Sequence, residues 1–174
     1  MSYHELAEGT LVRFSLEGTL PILKERYASP QAGTVVLRGF FNQRAFLETL
    51  DGQRFRTLGA RRDKEQLDKL AYPVLRLPDK TEEFRLLSPL HLEKGRVPQL
   101  RYTTLLENQY YVFKQVSAGQ RGYELWDSME MERLVEVEPG GSLVPNFRVN
   151  VPVPALLVLL FPWLASQTIY HQQP

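Results

Sequence analysis

The chain contains no cysteine. Disulfides, thiolate metal sites and a thiol nucleophile are thereby excluded, and the composition suits a reducing compartment. Histidine is almost as scarce, with His4, His91 and His171 far apart in the chain. None stands at the spacing of a helical zinc motif, and a zinc centre wants three or four clustered donors, so each reads as a surface residue. There is no excess of one charge: 21 basic side chains face 20 acidic ones. A protein that binds nucleic acid through its overall field needs a basic excess or stripe, so no nucleic-acid partner is expected. A glycine-rich phosphate loop, a dinucleotide fingerprint and a nucleophile elbow are all missing, and Ser142 after Gly140-Gly141 reads as part of a turn. The opening residues MSYHELAEGT hold no positive region followed by an apolar one, so a secretory signal is not expected and a cytoplasmic location is. No cofactor and no catalytic constellation are legible. The expectation is a binding or scaffold protein without enzymatic activity, against the alternative of an enzyme whose site is assembled from scattered residues.

What the sequence does hold is punctuation and one strongly biased end. Its 174 residues, 43% hydrophobic and 24% charged, suit a single domain over 1–174 with an ample core. Glycine, proline and aspartate recur so often that few windows are long enough for an ordinary helix. The runs between them are short and rich in Val, Leu, Phe, Tyr and Thr, which predicts a mainly β protein of many short strands. Asp51-Gly52 within AFLETLDGQRFRTL predicts a hairpin with a two-residue type I′ turn. Gly119 to Gly122 and Asp127-Ser128 predict further turns, and Glu17-Gly18 another. Val135 and Val137 alternate with Glu136 and Glu138, the pattern of a strand with one buried and one wet face. Asp63, with Gln66 three residues on, resembles a capping box and predicts a short helix near residues 63–71, stopped by Tyr72-Pro73.

No Asp, Glu, Lys or Arg follows Arg148, and Val151 to Ala165 reads VPVPALLVLLFPWLA. Pro154 fits the first position of a helix, where its missing N–H has no partner to lose. Pro162 is harder to place, because a proline inside a helix costs about 3 kcal/mol. The helix either kinks there or ends near Phe161 and a new turn begins; the residues leave both open. At about 1.5 Å per residue, these fifteen residues fall short of the roughly 30 Å of bilayer hydrocarbon. A segment apolar all round is expected as a helix buried by its own protein, the alternative being a tail anchor over 151–170.

Three clusters carry the remaining chemistry. Arg54, Arg56, Arg61, Arg62 and Lys64 fall within eleven residues. The first reading of such a cluster is the solvated, charged cover of an edge strand, and the second is a phosphate site, since arginines on one strand face can grip phosphate through paired hydrogen bonds. Glu130, Glu132, Glu136 and Glu138 recur at period two, expected as a solvated strand face rather than an acid–base pair. Tyr102, Tyr110, Tyr111, Phe113, Tyr123 and Trp126 are expected mostly as core and wall.

The stretch Asn146 to Tyr170, NFRVNVPVPALLVLLFPWLASQTIY, together with the hairpins at Asp51-Gly52 and Asp127-Ser128, resembles the tubby C-terminal-like domains, which include the LURP-one-related proteins and the phospholipid scramblases. The likeness is a pattern of hydrophobicity that covers the last third of the chain and extends to the rest only as architecture. Pro152, Pro154 and Pro162 depart from the family pattern, and Pro73 to Pro98 has no counterpart in it. The resemblance implies a closed antiparallel barrel of about twelve strands wrapped around a hydrophobic C-terminal helix, since closure removes exposed edges. It also implies an interest in anionic phospholipid, with Arg54, Arg56, Arg61, Arg62 and Lys64 as the candidate contact and a membrane surface as the candidate partner.

Overall fold

In a computed structural model, the chain is described over residues 3–20, 24–38, 44–62, 71–76, 83–85, 101–106, 109–116, 122–141 and 145–171. It is mainly β. Strands β1 (Glu5–Leu6), β2 (Leu11–Val12), β3 (Ser15–Leu20), β4 (Lys24–Ser29), β5 (Gly33–Arg38), β6 (Arg44–Thr49), β7 (Arg54–Arg62), β8 (Ala71–Arg76) and β9 (Glu83–Arg85) come first. They are followed by β10 (Arg101–Leu106), β11 (Gln109–Gln115), β12 (Tyr123–Asp127), β13 (Arg133–Gly141), β14 (Pro145–Val149) and β15 (Val153–Pro154), then α1 (Ala155–Leu159) and α2 (Phe161–His171). Strands β3 to β9 form a seven-stranded antiparallel meander, and β10 to β14 with β2 at the edge form a six-stranded one. A two-stranded ribbon pairs β1 with β15. Among the described residues no sheet closes on itself by hydrogen bonds.

Side-chain alternation decides which face of each strand is buried. In β5, Val35 and Leu37 are buried while Arg38 is exposed; in β6, Ala45, Leu47 and Thr49 are buried while Phe46 and Glu48 are exposed. In β13, Val135 is fully buried and Val137 packs on the core, as the alternation with Glu136 and Glu138 predicts. Both inner faces enclose the C-terminal segment. Every residue from Ala155 to Ala165 whose side chain carries a large apolar group is buried, and α1 packs against β5 and β6 while α2 packs against β5 and β12. The segment therefore lies between the two sheets, which is why it is apolar on every side. Each fully buried Leu, Val or Phe contributes about 1.5–3 kcal/mol relative to exposure. Phe161 keys the helix to the six-stranded sheet, stacked at 4.4 Å on Phe147 and edge-on at 5.6 Å to Phe113. No helix of the described residues is long and apolar enough to cross a membrane.

The structure chooses between the two placements of Pro162. The Leu160 N–H closes α1 on the Leu157 carbonyl at 3.3 Å, a tightened last turn, and α2 opens at Phe161. Pro162 thus falls in the first turn of a new helix, where backbone N–H groups have no intrahelical partner to lose. The regular ladder resumes with the Leu164 N–H on the Leu160 carbonyl at 2.9 Å. Pro154 sits one position earlier than expected: it is the last residue of β15 and the N-cap of α1, with Ala155 as the first helical residue.

Two local expectations change. The Asp51-Gly52 hairpin exists, but its loop has three residues, Leu50-Asp51-Gly52, between Thr49 and Gln53, whose backbones are bonded at 3.0 Å. The Gly52 N–H returns to the Thr49 carbonyl and Gly52 alone takes a positive φ of 86°, so this is a type I turn closed by a glycine bulge rather than a type I′ turn. The Asp51 carboxylate accepts a hydrogen bond from the Thr49 hydroxyl, which holds the turn. Glu17-Gly18 does not turn at all: β3 runs through it, with an irregularity between Leu16 and Thr19. The predicted helix near residues 63–71 lies outside the described residues except for Ala71, which begins a strand instead. Pro73 is tolerated inside β8 because the pairing with β7 is broken between Leu58 and Arg61, so no ladder bond is demanded of it.

Residues 3–10 form a strap across the end where the chain enters α1. The Ala155 N–H donates to the His4 carbonyl at 2.7 Å, Tyr3 stacks on Phe55 and Leu6 is buried. The Gly9 N–H donates to the Val149 carbonyl at 2.8 Å, fixing the strap to the end of β14. The turns between β4 and β5, β6 and β7, and β12 and β13 lie at this same end, since antiparallel strands return every second connection to one side.

Candidate functional site

The outward face of the seven-stranded sheet is arginine-rich. Arg54 and Arg56 flank buried Phe55 and are both exposed, as their spacing predicts for one strand face. Register extends the cluster to strands that sequence spacing does not join. Arg56 stands opposite Phe46, Phe46 opposite Val36, and Val36 opposite Arg26. Exposed Arg26, Arg38, Arg54 and Arg56 thus share one sheet face with Phe46, which is itself 39% exposed. The Arg38 guanidinium lies over the Phe46 ring at 5.3 Å, a cation–π contact. Two acids dilute the face: Glu48 bonds Arg54 at 3.1 Å and Glu17 meets Arg26 at 3.5 Å. Arg54 is 82% exposed, so this pair is a solvated one that contributes little to stability and leaves donor groups of the guanidinium facing water.

The rest of the predicted cluster is divided. Arg61 and Arg62 are the last residues of β7, opposite Tyr72 and Ala71. Lys64 lies outside the described residues. Arg26, Arg38 and Phe46 were invisible to a reading by local spacing, because β4, β5 and β6 bring them in from three different stretches of chain.

The outer face of the six-stranded sheet is a different surface. Arg133 bonds Glu124 at 3.2 Å and Glu136 at 2.5 Å, and Arg148 bonds Glu138 at 2.5 Å. Trp126 donates its indole N–H to Glu124 at 3.0 Å, with Lys114 and Arg133 near its ring. The carboxylates here are neutralised by partners on the same sheet, which suits a stable wall. The expected row of four glutamates is split: Glu136 and Glu138 lie on β13, whereas Glu130 and Glu132 belong to the turn before it.

Inside the six-stranded sheet, Tyr102, Tyr111, Phe113 and Tyr123 are buried as expected, and Tyr110 is exposed. Burial first, and neighbouring Tyr123 second, push the Tyr102 phenol well above its ordinary value. The two rings are 6.1 Å apart, close enough to interact, yet the Tyr102 hydroxyl meets no partner at hydrogen-bonding geometry, nor does that of buried Thr104. Among the described residues no group of three His, Asp or Glu side chains could hold a metal.

No family model, no curated protein and no solved structure matches this chain.

Proposed function

We propose that the chain is a non-enzymatic binding protein of the tubby C-terminal-like kind, acting in the cytoplasm, whose arginine face holds the phosphate groups of anionic phospholipid at a membrane surface. The observation that carries this reading is the placement of Arg26, Arg38, Arg54 and Arg56 on one sheet face with exposed Phe46. Guanidinium groups bind phosphate oxygens through paired, charge-assisted hydrogen bonds, and an aromatic ring among them offers the apolar contact that a headgroup–acyl boundary rewards.

In this reading the strands close into a barrel around the helix. Two features support closure. β2 and β3 are successive parts of one extended run that pairs with β14 at its start and β4 beyond, joining the two sheets on that side. On the other side β9 lies against β10. Tail anchoring has less support, because the segment it would use is covered by the protein's own strands.

The test is co-sedimentation with vesicles. Wild-type protein should bind vesicles containing phosphoinositide more than neutral ones, and added salt should weaken binding because exposed charges are screened over about 8 Å at physiological ionic strength. Arg54→Gln with Arg56→Gln should remove the difference while leaving the melting temperature unchanged, since both side chains are exposed. Equal recovery with neutral and anionic vesicles would reject the reading.

A further inference from the structure

Sulfur is confined to three atoms of this chain. There is no cysteine, and the methionines are Met1, Met129 and Met131. Met1 lies outside the described residues, and the other two stand two residues apart in the turn between β12 and β13. Methionine is ordinarily a core residue that fills irregular gaps. Here its placement is the reverse. Met129 is 74% exposed and Met131 81%, the two highest values among the large hydrophobic residues of the described chain, and the described core holds no methionine.

The turn is held by bonds that involve neither sulfur. One oxygen of the Asp127 carboxylate accepts hydrogen bonds from the Met131 N–H at 2.8 Å and the Glu132 N–H at 3.1 Å. The Glu130 N–H donates to the Asp127 carbonyl at 3.0 Å, and the Asp127 N–H donates to the Glu132 carbonyl at 3.1 Å. Glu130, between the methionines, takes the left-handed turn conformation with a φ of 54°. Every one of these bonds is made by backbone or by Asp127, so both thioethers can change their chemistry without any of them being lost.

We infer that Met129 and Met131 form a reversible oxidation site, each taking one oxygen from a hydroperoxide to become methionine sulfoxide. The sulfur lone pair attacks the terminal peroxide oxygen, an S–O bond forms and the O–O bond breaks. The departing oxygen takes up the proton that the transferred oxygen carried, so hydrogen peroxide leaves as water and sulfur has lost two electrons. Return needs a dithiol reductase, whose two thiol hydrogens and two electrons remove the oxygen as water while the dithiol becomes a disulfide. Each conversion turns a flexible apolar side chain into a polar one with a strong acceptor oxygen. In a core that oxygen would be an unpaired buried group, whereas at this turn water meets it. The oxidised chain therefore keeps its fold, and two adjacent apolar groups become polar at a place a reductase can reach. The turn joins strands of the six-stranded sheet while the arginine face belongs to the seven-stranded one, and the inference does not rest on the lipid reading.

The test treats the full folded chain with hydrogen peroxide, with N-acetylmethionine amide in the same solution as the unprotected reference. Peptide mapping by mass spectrometry follows each methionine separately, so that Met1 does not confuse the count. Met129 and Met131 should each gain one oxygen at a rate within about tenfold of the reference, because nothing shields either sulfur from the oxidant. The chain oxidised at both should melt as the untreated chain does. Methionine sulfoxide reductases of both epimer specificities, with dithiothreitol, should then restore both thioethers in the folded protein. Met129→Leu with Met131→Leu should melt like the wild type and take up no oxygen in this turn. Oxidation of either residue more than about tenfold slower than the reference overturns the inference. So does a melt that peroxide abolishes in the wild type and spares in the Leu variant, which would give the thioethers a structural role. Sulfoxides that the reductases leave in place on the folded chain overturn it equally, since the site would then not be reversible.

Discussion

Tyr102 shows how a single buried group sets a response to conditions. Its phenol is enclosed, lacks a hydrogen-bond partner and is held well above the ordinary value of 10.0. Below that value the proton is bound in both folded and unfolded chains, so the group gives stability no slope. As pH rises through it, the unfolded chain releases the proton while the folded chain retains it, and stability falls. Tyr102→Phe removes both the proton and the orphaned hydroxyl. Its melting temperature at neutral pH should equal or exceed that of the wild type, and its decline above about pH 10 should be shallower. Thermal melts from pH 7 to pH 11 check both expectations, and a steeper alkaline decline in the variant would contradict them.

Among the elements, the broken C-terminal helix makes the sharpest statement about proline. Pro162 stands where a helix begins, so Pro162→Ala should shift stability by less than about 1 kcal/mol. Two residues on, the Leu164 N–H is committed to the Leu160 carbonyl at 2.9 Å, and Leu164→Pro should cost about 3 kcal/mol or more. Denaturant titration of both variants separates a helix with a natural break from one forced through a kink. The same elements mark what the sequence could disclose. The all-round apolar run from Ala155 foretold burial, because no partly exposed helix tolerates that pattern. The Asp-Gly hairpin was legible because glycine's tolerance of positive φ is local chemistry. The turn type was not, since a third loop residue depends on how Thr49 pairs with Gln53. Glu17-Gly18 misled because a glycine in a strand and a glycine in a turn leave the same local trace. The arginine face was half legible: Arg54 and Arg56 alternate within one strand, while Arg26, Arg38 and Phe46 reach them only through the register of β4, β5 and β6.

For the whole molecule, the decisive quantity is how much of the core one segment supplies. Leu157 is fully enclosed between the two sheets. Leu157→Asp would place a carboxylate there without a partner, costing several kcal/mol against a total stability of about 5–15 kcal/mol. The expected outcome is loss of the cooperative melt, while Met131→Asp, at 81% exposure, leaves it unchanged. A normal melt for the Leu157 variant would mean that the two sheets are held together by something other than the helix between them.

The helices follow every described strand, and the ribbon that seats them joins Glu5 to Pro154 and Leu6 to Val153. This has a kinetic consequence. During synthesis the two meanders emerge with their apolar faces bare, and the segment that fills the space between them is made after both. Hairpins can form early because their contacts are local, but the final docking must bring together residues from nearly opposite regions of the sequence, and long-range closure of that kind slows folding. Until it occurs the strand edges and inner faces are open to other chains, the condition in which aggregation competes with folding. Refolding from denaturant should therefore be slow and concentration-sensitive, with its last phase reporting the arrival of Trp163 between the sheets.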